Sequence, residues 1–289
     1  MDSIFVQIAS YRDTDLPLTI ASALSNADHP ERLRFGICWQ YDERTFTDLD
    51  EHLKDARFRI AQFHYAESGG CCWARHQTNQ LYRGETYTLQ IDAHTRFADS
   101  WDTQYVEMIQ SLPVEKPILT TYPAPFELQG GVVEKKLERT IQKLVLKKLA
   151  DNLITVLKTR DVDSCESPEP SQFLAAGQIF TVGQFCREVE YDPQMYYAGE
   201  EISLSARAYT SGYDLFCPNK HLIWHLYNHP MPAHWDDHKS TRHDDAIRRL
   251  KKLLTGQHEK LGKYGLGNNR SLEQYQRYCD LDFVNHAAP

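Results

Sequence analysis

The chain begins with an apolar run, Ile4 to Ala9, too short for a helix and suited to a buried strand. Behind Asp15, Leu16 to Leu24 carries apolar residues at helical spacing, with Pro17 in the first turn, where a missing amide hydrogen costs no bond. Leu33 to Gln40 and Phe58 to Tyr65 are the next strand candidates, and the acidic stretch Asp48 to Ala56 between them reads as a weak helix. Glu67-Ser68-Gly69-Gly70 is a turn sequence. Cys71 to Tyr82 then reads as a helix, and Tyr87 to Ile91 as a fourth strand ending in Asp92-Ala93-His94.

Strands that alternate with helices predict an α/β fold, a mainly parallel Rossmann-like sheet with helices on both faces, because parallel strands need crossovers. Ligands of such sheets bind beyond the carboxyl ends of the strands. Ser10 to Asp13, the Gly69-Gly70 turn and Asp92 to His94 all fall at such ends, so they are expected to converge.

Further along, Val133 to Arg160 has helical spacing and many lysines, and Asp161 to Ser171 is a polar, proline-bearing connection. Apolar sequence resumes at Phe173 to Phe180. A helix is expected over Glu200 to Tyr209, strands over Leu215 to Cys217 and Leu222 to Leu226, and helices over Asp244 to Leu254 and Ser271 to Cys279 in a charged tail after Trp235. No internal repeat is visible, and 289 residues fit one large unit or two modest ones.

Composition narrows the function classes. With 41% hydrophobic and 25% charged residues the chain is an ordinary folded protein. A formal charge of -8 argues against nucleic acid or an anionic membrane as the main partner, so an anionic ligand must be held locally. No apolar stretch is long enough to span a membrane and no secretory signal opens the chain, which points to the cytoplasm. Seven cysteines, including the adjacent Cys71 and Cys72, show no CxxC spacing and read as free thiols.

Asp92 and His94 stand two apart at a strand end, where alternation turns both side chains to one face and toward one metal ion. His221, His225 and His229 recur every four residues, but Pro218 and Pro230 bracket a segment that reads as a strand leaving into a loop, so one of the three is expected to reach the metal. A zinc hydrolase built on these histidines is disfavoured, since no HExxH is present. Gly199-Glu200-Glu201 opens a helical run. Its carboxylates either complement the positive helix end or meet a polar ligand. Arg75, behind the glycine turn, has the donor fork to meet a phosphate or carboxylate.

The segments Ile8-Ala9-Ser10-Tyr11-Arg12-Asp13, Ala74-Arg75 before Leu81-Tyr82-Arg83-Gly84-Glu85, Leu89-Gln90-Ile91-Asp92-Ala93-His94-Thr95-Arg96-Phe97 and Trp101-Asp102 resemble the nucleotide-sugar glycosyltransferases of the GT-A fold. The resemblance is to the GlcNAc-transferases that include cytoplasmic enzymes modifying hydroxyproline, glycosyltransferase family 60. More distantly, Ala175-Ala176-Gly177, Tyr191-Asp192-Pro193, Ala198-Gly199-Glu200-Glu201 and His225-Leu226-Tyr227 are similar to polypeptide GalNAc-transferases.

This resemblance implies a Mn2+ or Mg2+ ion on Asp92, His94 and His225, UDP-GlcNAc as donor, and transfer with retention to a protein hydroxyl or glycan. It places Ala9, Ser10, Tyr11 and Arg12 on the uridine, Arg75, Asp92 and Ala93 near the nucleotide, and Gly177 against the sugar. Glu200 is implied at the donor sugar and, with Glu201, as a catalytic candidate, although the relatives carry Gly-Glu-Asn where Gly199-Glu200-Glu201 stands. It also implies one domain, with 1–125 as the nucleotide half, 172–235 as the sugar and acceptor half and 236–289 as a charged extension. The segment Val133 to Ser171 and the tail are expected to set the acceptor. A non-catalytic sugar-nucleotide binding domain is the rival reading. Gly69-Gly70 and the stretch 229–238 are expected to close over the donor as a lid.

Overall fold

A computed structural model gives the fold, and it describes every residue except 1, 46, 48, 50, 130–131, 136–139, 163–165, 229, 239–241 and 286–289. The first third follows the expected alternation: β1 (Ile4–Tyr11), α1 (Leu16–Ser25), β2 (Leu33–Tyr41), β3 (Phe58–His64), α2 (Cys71–Gln80) and β4 (Tyr87–Asp92). β1 pairs in parallel with β2 on one side and β4 on the other, and β3 extends the sheet beyond β2. β1 is covered on both faces, so Phe5, Val6 and Ile8 are fully buried. Gln7, the polar residue among them, is satisfied by Thr88 at 2.9 Å, Thr78 at 3.0 Å and Asn79 at 2.8 Å.

Beyond β4 come β5 (Thr95–Phe97), α3 (Trp101–Gln110), β6 (Pro117–Thr120), β7 (Ala124–Gln129), β8 (Val132–Lys135), β9 (Gln142–Leu149), β10 (Thr155–Asp161), β11 (Glu169–Pro170) and β12 (Gln178–Val182). They are followed by α4 (Phe185–Glu188), α5 (Glu200–Thr210), β13 (Asp214–Cys217), β14 (Ile223–His225), α6 (His234–Asp237), α7 (Arg242–Leu254) and α8 (Leu272–Cys279). The main sheet has eight strands in the order β11-β13-β6-β12-β4-β1-β2-β3. β12 runs antiparallel between β4 and β6, whereas β6 and β13 are parallel. A smaller sheet, β5-β14-β7-β8, stands at the carboxyl end of β4. One link to the main body is a buried, bidentate pair, with the Arg96 guanidinium 2.6 and 2.7 Å from the Asp15 carboxylate ahead of α1.

Two expectations for local structure fail. The described residues of Val133 to Arg160 are not helical: they hold the end of β8, and β9 and β10 form an antiparallel hairpin. Leu144 and Leu153 are buried in the core, and Leu146, Leu149 and Leu157 pack against it while the lysines turn outward, so the operative period is two. Between β2 and β3 the described residues hold only a single 3-10 turn, His52–Lys54, because the acidic stretch has too few apolar residues to hold a helix against the sheet.

The charged tail is integral to packing. α7 and α8 bury Leu250, Leu253, Leu254, Tyr275 and Cys279 in the same core as Ile202, Leu204 and Ala206 of α5. Six cysteines, 38, 71, 72, 186, 217 and 279, are free thiols. Among the described residues no helix is long and apolar enough to cross a membrane.

Candidate active site

The site lies where β1 and β4 end. Ala9 is in register beside Asp92, so the polar residues that follow each strand become neighbours. Asp92 and His94 flank Ala93 in the short passage from β4 to β5. His225 arrives from β14, whose antiparallel register sets it opposite Thr95, and the Leu226 amide donates to the His94 carbonyl at 3.1 Å. His225 Nε2 lies 3.1 Å from Asp92 Oδ2 and the two imidazole rings are 4.6 Å apart. One ligand atom from each of Asp92, His94 and His225 lies within 4.8 Å of the others.

Asp13, from the first polar cluster, accepts at 2.8 Å from His94 Nδ1. A proton held there leaves the lone pair on Nε2, which is how a carboxylate orients a metal-binding imidazole. Burial opposes protonation of His94, but the hydrogen bond to Asp13 and the charge of Asp92 outweigh it and raise its pKa. Burial would also raise the Asp92 carboxyl. The His225 hydrogen bond and the Arg75 charge outweigh that effect and hold it well below the usual carboxylate range. One carboxylate and two imidazoles form a donor set suited to a divalent ion of intermediate hardness such as Mn2+. Gly177 leaves room beside it, since a Cβ there would stand 3.0 Å from Asp92 Oδ2.

Behind this cluster, Arg75 of α2 is buried and joins two carboxylates. Its guanidinium meets Asp92 Oδ1 at 2.8 Å and Glu200 Oε1 in a shorter contact. Glu200 begins α5, and the Cys71 thiol donates to its Oε2 at 3.2 Å. Both oxygens of Glu200 are therefore engaged from inside the protein. Glu201 points elsewhere: its Oε1 accepts from the Ala176 amide at 3.1 Å and its Oε2 from the Tyr122 hydroxyl at 2.8 Å. It thereby ties α5 to the 175–177 loop and to the end of β6.

Burial raises Glu201 to about 7, against the pull of Tyr122 and the Ala176 amide. A carboxyl raised on folding contributes stability that is fully present below its unfolded pKa and is lost as pH rises through the folded one. The wild type is therefore expected to lose about 1–3 kcal/mol relative to Glu201→Gln between pH 4.5 and 8. Urea unfolding of both proteins across that range checks this, and parallel stability curves would refute it.

The proposed uridine segment is differently engaged. Ser10 is buried, and its hydroxyl has no hydrogen-bond partner among the described residues. The Tyr11 hydroxyl donates to Asp237 Oδ2 at 2.8 Å, and Arg12 pairs with Asp42 at 2.9 Å and with Asp237 at 2.6 Å. α6 thus covers the end of β1, with His234 3.0 Å from the Tyr196 hydroxyl and Trp235 against Tyr197. Gly69 and Gly70 are dictated by close packing: a Cβ would stand 2.4 Å from Trp73 at one and 2.6 Å from Tyr196 at the other, where φ is also +104°.

Of the three spaced histidines, His225 joins the site, His221 lies 3.2 Å from the Thr140 carbonyl, and His229 lies outside the described residues. Arg207 is buried and donates to the Gly265 carbonyl. Trp101 and Asp102 are structural: the indole donates to the Ala23 carbonyl and the carboxylate accepts the Asp28 and His29 amides. Tyr122 carries no sequence signal, and Asp237 is expected only as part of the 229–238 stretch, because each reaches its partner through a contact distant in sequence.

The family model for the GlcNAc glycosyltransferases matches residues 3–49 and 42–285, which is nearly the whole chain. The chain belongs to that family. As a GlcNAc glycosyltransferase it has the GT-A fold that its strand order shows. Among solved structures it is similar to GalNAc-T7 crystallised with UDP, GalNAc and Mn2+, with a TM-score of 0.69 at 15% identity over 97% of this chain. The match covers 55% of the GalNAc-T7 chain, so this glycosyltransferase spans about half that protein's length. It is also similar to residues 1–349 of S. aureus TarS in complex with UDP-GlcNAc, with a TM-score of 0.54 at 11% identity, over 98% of this chain and 72% of that one. No curated protein matches the sequence.

Proposed function

We propose that this glycosyltransferase moves a sugar, GlcNAc by family likeness, from a UDP-sugar to a hydroxyl of a protein or glycan, with retention and with a divalent cation at Asp92, His94 and His225. The observation that carries the reading is the meeting of those three side chains at the carboxyl ends of β1 and β4. The two similar structures support it: one was crystallised with UDP, GalNAc and Mn2+, the other with UDP-GlcNAc. In this reading residues 1–125 supply the nucleotide half, 172–235 the sugar and acceptor half, and 236–289 a C-terminal part that packs onto both, with the cytoplasm as its place of action.

When bound, the cation would supply Lewis-acid neutralisation of the diphosphate leaving group, which an acidic protein otherwise lacks. His94 is oriented for it by Asp13, and Asp92 is kept ionised by Arg75 and His225. Ala9 to Arg12 and Ala93 border the nucleotide, and Gly177 lets the donor approach Asp92 without a side chain in the way. Glu200, fixed by Arg75 and Cys71, accepts hydrogen bonds from donor-sugar hydroxyls. Since both of its oxygens are already engaged, it is poorly disposed to attack the anomeric carbon. That favours a front-face transfer, in which the acceptor proton passes to the departing phosphate.

Metal-dependent hydrolysis of UDP-sugars, followed by UDP release, tests the reading without knowledge of the acceptor. UDP-GlcNAc is expected to be cleaved fastest in a panel with UDP-GalNAc and UDP-glucose, and EDTA is expected to stop it. UDP-sugar binding without any turnover would instead establish a binding domain.

A further inference from the structure

The lysine-rich segment of the sequence is a hairpin with two unlike faces. Leu144, Leu146, Leu149 and Leu157 face or flank the core, and Lys143, Lys147, Lys148, Lys158 and Arg160 point away from it. All but the half-buried Lys143 are exposed. Among the described residues, none of these five side chains has a hydrogen bond or an ion pair. Lys143 and Arg160 are direct cross-strand partners, and Lys148 stands opposite Val156 near a bulge. Like charges set opposite each other disfavour a ladder, so an acidic partner laid across Lys143 and Arg160 would meet two cations with no carboxylate partner among the described residues.

We propose that this hairpin face docks an acidic, extended segment of the acceptor polypeptide and so presents a hydroxyl elsewhere on that polypeptide to the active site. The inference rests on the transferase reading and adds the chemistry of the partner. Three observations point to a polypeptide. The patch is short, about 20 Å along strands of this length, and the chain as a whole carries a charge of -8, so a long polyanion running past the hairpin would meet repulsion. Lys158 and Arg160 stand two residues apart on one face, roughly 7 Å, which is also the repeat of same-side residues in an extended peptide. Val156, exposed among the cations, offers an apolar contact to such a peptide.

The hairpin is also joined to the catalytic side. Thr121 donates to the Gln142 carbonyl at the base of β9, and Tyr122, the next residue, donates to Glu201. The base of the hairpin, next to Lys143 and Arg160, is thus connected through Thr121, Tyr122 and Glu201 to the 175–177 loop.

The test uses the full chain and a short labelled peptide of alternating Glu and Ala as probe, with anisotropy at low and at physiological salt. Wild-type protein is expected to bind it in a salt-sensitive way. The triple variant Lys143→Glu/Lys158→Glu/Arg160→Glu is expected to bind about tenfold or more weakly, and Lys251→Glu/Lys252→Glu on α7, which makes the same kind of charge change elsewhere, as tightly as wild type. If the triple variant melts early, Lys158→Gln/Arg160→Gln carries the comparison with the same expected direction. UDP-sugar hydrolysis is expected to be equal in all folded variants. Absence of that hydrolysis in the wild type would remove the transferase reading and, with it, the acceptor role. Failure of the wild type to bind the peptide, equal binding by the hairpin variants, or tighter binding of duplex DNA or phosphatidylserine vesicles would overturn the docking proposal while leaving hydrolysis intact.

Discussion

Replacing Asp92 by alanine is expected to lower Mn2+-dependent turnover by about a thousandfold or more, the scale on which enzymes lose activity when one preorganised electrostatic element is removed. Asp92 has two tasks. Its Oδ2 joins His225 and His94 around the candidate cation position, and its Oδ1 balances the buried Arg75. Asp92→Asn keeps the shape and removes the charge, so it separates them: Mn2+ affinity is expected to fall in both variants, but packing around α2 more in the alanine. Calorimetric titration with Mn2+ measures the first and thermal melting the second. Unchanged Mn2+ affinity together with turnover within a few-fold of wild type would remove Asp92 from the metal site.

The second large effect is expected at Glu200. Glu200→Gln is predicted to reduce kcat by roughly a hundredfold or more with a smaller change in KM for the donor, since contacts that strengthen in the transition state act on kcat. Stability must be read beside it. The change leaves Arg75 with Asp92 as its one described carboxylate partner, and breaking a buried pair can cost about 3–5 kcal/mol. Loss of turnover at a temperature where the variant is fully folded by circular dichroism assigns a role at the donor. If the folded variant kept near-wild-type kcat, Glu200 would be reduced to a helix-end residue that holds Arg75 in place.

What the sequence settled about this glycosyltransferase is what short range controls. Apolar runs and turn residues within ten or so positions specify β1, α1, β2, α2 and β4, and the doubly covered parallel half then follows from the need for crossovers. The Asp92-Ala93-His94 pair was legible for the same reason, because its geometry is that of one strand end. The lysine-rich hairpin was misread since period two and period 3.6 both fit a short run of leucines. The choice fell to the surface available for burial, where Leu144 joins the core that also holds Leu153 and Phe173. Tertiary structure alone decided the partners. His225 reaches Asp92 through the register of β14 on β5, Glu200 reaches Arg75 when α5 docks beside α2, and Asp237 reaches Tyr11 and Arg12 across more than two hundred residues. Such contacts depend on strand register and helix docking, which are set by the packing of the whole core, and no local pattern of residues encodes them.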